Sequence, residues 1–138
     1  MKRFLLDTNV VSELRKPKPH GGVVAWINQQ RDEQLFLSAV TLGELQAGIE
    51  RTRAQDTRKA QEIEIWVDQL ADSIQVLPMD AQCFREWARL MSGKADYLIE
   101  DAMIAATARV HGLIVATRNE RDFLVLRVAL LNPFLPNK

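Results

Sequence analysis

Apolar residues in this chain occur in two textures. Short unbroken runs at Phe4–Leu6, Leu35–Leu37, Ile74–Leu77, Leu113–Ala116 and Val128–Leu131 have the length and composition of buried strands. Between them the apolar positions fall at helical spacing. Val10, Val11 and Leu14 predict a short helix that Pro17 and Pro19 must end. Val23–Arg31, carrying Val24, Trp26 and Ile27, predicts a second, and His20-Gly21-Gly22 before it reads as a hinge. Thr41–Arg53 and Asp56–Leu70 predict a helical hairpin, the latter helix with Ile63, Trp66, Val67 and Leu70 on one face. Asp80 is placed to cap a helix running to Met91 and ending at Gly93, and Gly112 to stop another over Leu98–His111. Asn119–Phe123 is a short turn or helix, and Asn132-Pro133 closes the pattern. Strands alternating with helices predict an α/β fold, a single domain over residues 1–138 with a five-stranded parallel sheet flanked by helices.

At 138 residues the chain can bury one real core, and 47% hydrophobic with 26% charged residues is an ordinary globular balance. No apolar run approaches the roughly 18 to 20 residues of a membrane span, and the first residues lack an apolar leader with a cleavage site. A cytoplasmic protein with no membrane partner is expected. The lone cysteine, Cys83, excludes an internal disulfide and a cysteine-rich metal site, and its neighbours Phe84 and Trp87 suggest a core thiol. Formal net charge is zero, so bulk charge does not announce a nucleic-acid binder. Basic residues do gather at Arg15, Lys16, Lys18 and His20, at Arg51, Arg53, Arg58 and Lys59, and at Arg118 and Arg121. Any one of these clusters alone reads as a solvated face.

Candidate chemistry lies in the acids that the predicted sheet brings to one edge. Asp7 ends the first strand, where ligands of parallel α/β sheets bind. Glu44 lies just after the second strand, Asp101 near the start of the helix before the fourth, and Asp122 just beyond the fourth. Each acid has a plain structural reading. Asp7 could cap the following helix, Thr41 and Glu44 have capping-box spacing, Glu100 and Asp101 suit a helix N-terminus, and Asp122 could be a turn residue. The helix faces argue otherwise. Asp101 shares a stripe with Ile104, Ala105 and Ala108, and Glu44 with Val40, Ala47 and Gly48, so both point toward the sheet. Buried carboxylates are normally paired or bound to metal. An all-oxygen pocket without paired histidines or cysteines suits Mg²⁺ or Mn²⁺ rather than Zn²⁺. His111 reads as a helix-end residue and His20 as a loop residue. No phosphate-binding glycine motif is present. A phosphatase or receiver type of α/β protein fits less well, because Thr8 and Asn9 rather than a second acid follow Asp7.

Four segments carry a family resemblance: Leu5-Leu-Asp7-Thr-Asn9-Val-Val-Ser-Glu13, Leu37-Ser38-Ala-Val-Thr-Leu-Gly-Glu44-Leu, Glu100-Asp101-Ala-Met-Ile-Ala-Ala-Thr-Ala108 and Ala116-Thr117-Arg-Asn119-Glu-Arg-Asp122-Phe123. In this order the chain resembles the PIN-domain ribonucleases, in particular the VapC toxins of toxin–antitoxin pairs and their FitB-like branch. One segment alone is weak; the ordered set is specific. The resemblance implies Mg²⁺ or Mn²⁺ held by Asp7, Glu44, Asp101 and a fourth acid, and metal-dependent endonucleolytic cleavage of RNA. It also implies a homodimer and a cognate VapB-like antitoxin that occupies the active-site groove while its other end binds operator DNA. In some relatives the fourth acid directly follows Thr-Arg; here Asn119 stands there and the acid is Asp122. Ser38, Thr117 and Asn119 are expected to support the site by hydrogen bonds, and Arg118, Arg121, Arg15 and Lys16 to meet the RNA backbone. The competing expectation is a catalytically silent PIN-like module whose acidic pocket docks a basic partner.

Overall fold

The structure, a computed structural model, describes residues 1–136. Five short strands, β1 (Phe4–Leu6), β2 (Leu35–Ser38), β3 (Gln75–Leu77), β4 (Ile114–Ala116) and β5 (Leu130–Leu131), pair in parallel in the order β3-β2-β1-β4-β5. The helices are α1 (Thr8–Leu14), α2 (Gly21–Asn28), α3 (Ala39–Arg53), α4 (Thr57–Ser73), α5 (Ala81–Met91), α6 (Ile99–His111) and α7 (Glu120–Val125).

Strand alternation sorts the core into two layers. Leu5, with its register partners Phe36 and Val115, faces the side covered by Ala102, Ile104, Ala105 and Ala108 of α6, Phe123 of α7 and Trp87 of α5. Phe4, Leu6, Leu35, Leu37 and Ala116 face Val10 and Val11 of α1, Val23 of α2 and the partly buried Trp66 and Leu70 of α4. Trp66 therefore belongs to the core, whereas the adjacent Ile65 is 52% exposed. The buried thiol of Cys83 is also where its neighbours suggested.

Chain order reverses beside β1: β2 and β3 extend to one side, β4 and β5 to the other. The crevice at such a switch point, beyond the strands' carboxyl ends, is the natural ligand site of an open parallel sheet. Asp7 sits there, its backbone N–H donating to Ala116 O at 2.9 Å.

Several boundaries differ from the sequence pattern. The expected hinge at His20 is a helix cap: its Nδ1 accepts from the Gly22 and Val23 N–H groups at 3.1 and 3.3 Å, so α2 begins at Gly21 rather than Val23. Gly22 is required, since a Cβ there would stand 2.9 Å from the His20 ring. At its other end α2 stops at Asn28, short of Arg31, and the Gln30 side chain donates to Trp26 O at 3.0 Å. Helix α3 starts two residues before Thr41, because Ser38 Oγ accepts from Val40 N–H at 3.0 Å. The expected strand Val128–Leu131 is shortened to Leu130–Leu131, following Arg127 in the left-handed region at φ 55°. Asp80 does cap α5, accepting from Cys83 N–H at 2.9 Å, and Gly112 ends α6 at φ 66°. Among the described residues no helix is long and apolar enough to cross a membrane.

Candidate active site

The four predicted acids arrive at one edge on four different elements. Asp7 leaves β1 and caps α1, Glu44 lies in α3, Asp101 in the first turn of α6 and Asp122 in α7. Asp7 caps α1 with one oxygen and is held from β4's end by the other: Oδ1 accepts from Thr8 N–H at 2.8 Å, and Oδ2 from Thr117 Oγ1 at 2.7 Å. The capping-box reading of Thr41 and Glu44 gives way to a different arrangement. Thr41, fully buried, meets Thr8 Oγ1 at 3.1 Å, and Thr8 donates to Glu44 Oε1 at 2.7 Å. Asn119 ties the other two acids together, its Nδ2 donating to Asp101 Oδ2 at 3.0 Å and to Asp122 Oδ2 at 2.9 Å.

None of the four carboxylates meets a lysine or arginine in an ion pair among the described residues. The protonation equilibria of Asp7, Glu44 and Asp101 register that. Burial holds Asp7 above the usual carboxylate range despite the hydrogen bonds from Thr117 and Thr8. Burial also raises Glu44, with the charges of Asp7 and Glu100 adding to it and the Thr8 hydroxyl opposing. Asp101 is pushed up to about 7, first by burial and then by the charges of Asp7, Asp122, Glu44 and Glu100. A cluster of this kind is short of one positive charge or more.

The donor set fits a hard divalent cation: carboxylate oxygens, with hydroxyls and an amide behind them. The acids are gathered rather than already wrapped around one point. Among the described residues no three acid, imidazole or thiol groups stand ready around a single ion position. Each acid is instead held by the hydroxyl, amide or backbone donor of a neighbour.

Of the expected supporting residues, Thr117 and Asn119 touch the acids directly, while Ser38 acts one step back by starting α3. The sequence pattern gives Thr8, Asn9 and Thr41 no part in supporting the acids, yet the structure does. Asn9 Oδ1 accepts from Arg118 N–H at 3.2 Å, and its Nδ2 donates to Thr117 Oγ1 at 3.4 Å, linking α1 to the end of β4. Their adjacency to Asp7 and their spacing before Glu44 were the available signal. The four expected basic residues separate. Lys16 is bound to the buried Glu13 at 2.9 Å, Arg118 lies over the Phe134 ring at 4.1 Å, and Arg121 is exposed on α7. Arg15 borders a groove that also contains Thr8 and Glu44.

The PIN domain family matches residues 4–129. The chain is 39% identical to the VapC ribonuclease Y4jK of Sinorhizobium fredii, over 96% of this chain and 99% of that protein. It is 35% identical to Toxin FitB of Neisseria gonorrhoeae, over 95% of this chain and 98% of that protein. Among solved structures, FitAB bound to an IR36 DNA fragment superposes with a TM-score of 0.84 at 30% identity, covering 98% of both chains. The chain belongs to the PIN domain family.

Proposed function

We propose that this chain is a divalent-cation-dependent endoribonuclease, the toxin of a toxin–antitoxin pair, which hydrolyses RNA phosphodiester bonds. The observation that carries this reading is a set of acids at the switch point of the sheet, raised in pKa and without a cationic side chain. Its likeness over nearly full length to a VapC ribonuclease and to Toxin FitB supports the same conclusion.

In this reading Asp7, Glu44 and Asp101 hold Mg²⁺ or Mn²⁺, and Asp122 completes or orients the set. An ion held there would supply Lewis-acid polarisation of the phosphodiester and an activated water for in-line displacement. The chain's own part is positioning. Thr117 and the start of α1 fix the two oxygens of Asp7, Thr8 fixes Glu44, and Asn119 keeps Asp101 and Asp122 together. Arg118, held over Phe134 beside Asn9, is placed to meet a phosphate near this edge.

The partners that follow are an RNA substrate, a second copy in a homodimer, and a VapB-like antitoxin through which operator DNA is bound. The likeness to FitAB on DNA supports the last, and exposed Phe84, Tyr97, Leu124 and Val125 offer apolar area for association. The working compartment is the cytoplasm.

Purified protein freed of antitoxin is incubated with total RNA in Mg²⁺, in Mn²⁺ and in EDTA, beside Asp7→Asn. Discrete fragments with metal, from the unmodified protein alone, are expected. Intact RNA under every condition, from folded protein, would refute the nuclease reading and favour the silent docking module.

A further inference from the structure

A groove of about 380 Å³ runs from the acidic edge between α1, α3 and α4, lined by Thr8, Glu44, Leu45, Gly48, Arg15 and Arg51 among others. Glu44, Gly48 and Arg51 lie four and then three residues apart, on one face of α3, so the groove leads from Glu44 to Arg51. Seven residues of helix carry it about 10 Å. Arg15, at the C-terminal end of α1, faces the same groove.

The neighbouring cations divide into two kinds. Arg53 donates to both Glu50 and Glu64, and Lys16 is bound to Glu13. Arg15 and Arg51 have no acidic partner among the described residues. Arg51 also folds back across the helix, with a guanidinium nitrogen 3.6 Å from where a Cβ on Gly48 would be. Glycine inside a helix costs stability relative to alanine, and no crowding at Gly48 requires it.

We propose that Arg15 and Arg51 grip consecutive stretches of a single-stranded RNA backbone on the Glu44 side of the bond to be cut, so that this groove sets the path of the substrate. The inference rests on the nuclease reading above. RNA is favoured over a protein occupant because two unpaired guanidiniums line the same groove as Glu44, one of the acids beside which a phosphodiester must lie for cleavage.

The test compares Arg15→Gln/Arg51→Gln with Arg58→Gln/Lys59→Gln, which removes the same charge from the exposed start of α4. Binding of a fluorescein-labelled oligoribonucleotide of mixed sequence is followed by anisotropy in EDTA at several salt concentrations, and cleavage of total RNA is followed with Mg²⁺. The groove variant should bind at least 10-fold more weakly, with a salt slope reduced by about 1.4, since each single-strand phosphate contact contributes about 0.7. Its apparent KM should rise with kcat nearly unchanged, and the control should stay within about twofold of the parent protein. Equal losses in both variants, or a fall in kcat alone, would overturn the assignment. If the parent protein neither binds nor cleaves RNA, the nuclease reading fails and this inference with it; if the parent does both and the groove variant matches it, only this inference fails.

Discussion

Replacing Asp101 with asparagine should make the metal-free protein more stable. Asp101 ionises near 7 because it is partly buried among four other acids. A carboxyl whose pKa folding raises opposes the folded state once ionised. The cost is absent below the ordinary aspartate range and complete above about 7. Taken at face value the gap corresponds to about 4 kcal/mol, and water reaching the half-buried group reduces this to roughly 2 kcal/mol. Asparagine keeps an oxygen able to accept from Asn119 Nδ2, which now reaches Asp101 at 3.0 Å, so the shape of the site survives. Urea denaturation in EDTA at pH 8 should show Asp101→Asn more stable by about 2 kcal/mol, equivalent to roughly 5 °C in Tm for a chain of this size. At pH 4 the advantage should disappear, because the parent carboxyl is then largely neutral. The parent protein should accordingly gain stability from this group as pH falls from 8 to 5. A variant no more stable at pH 8, or an advantage that persists at pH 4, would refute the claim that uncompensated negative charge is stored at this edge.

Other substitutions probe how the edge is built. Asp7→Asn should abolish metal-dependent RNA cleavage with the far-ultraviolet circular dichroism unchanged, and residual cleavage near the parent rate would remove Asp7 from the metal set. Thr117→Val leaves Asp7 Oδ2 without its 2.7 Å donor; a loss of about 1–3 kcal/mol by denaturant titration is expected, together with weaker Mn²⁺ binding. Leu5→Ala, at the fully buried centre of the sheet, should cost roughly 3 kcal/mol in the same titration without shifting the metal requirement. Gly112→Ala forces a Cβ into the left-handed end of α6 at φ 66°, and about 1 kcal/mol of lost stability is expected, against none if the helix end rearranges freely.

Much of this architecture is legible in the sequence, because apolar runs and helical stripes respond to the same burial that builds the core. Phe4–Leu6 pairs on both sides, and its alternation alone assigns Leu5 to one layer and Phe4 and Leu6 to the other. The expectation that Asp7, Glu44, Asp101 and Asp122 share one edge follows from strand ends and helix faces alone, and the charges of Asp7, Asp122 and Glu44 do act on Asp101. What periodicity cannot reveal is the hydrogen bonding of short side chains. His20 becomes a cap only because its ring folds over Gly22. Thr8 reaches Thr41 and Glu44 across more than thirty residues of chain, contacts that no local spacing encodes. Charge clusters in sequence likewise say nothing of pairing, so Lys16 and Arg15, adjacent in the chain, separate into a bound and an unpaired cation only when folded.

The central claim is that these acids form one divalent-cation site, and Mn²⁺ binding by isothermal titration tests it most directly. The parent protein should show saturable binding that Asp7→Asn and Asp101→Asn each weaken by at least 10-fold with the fold retained. Absence of binding in the parent protein, or binding that both variants leave unchanged, would contradict the account.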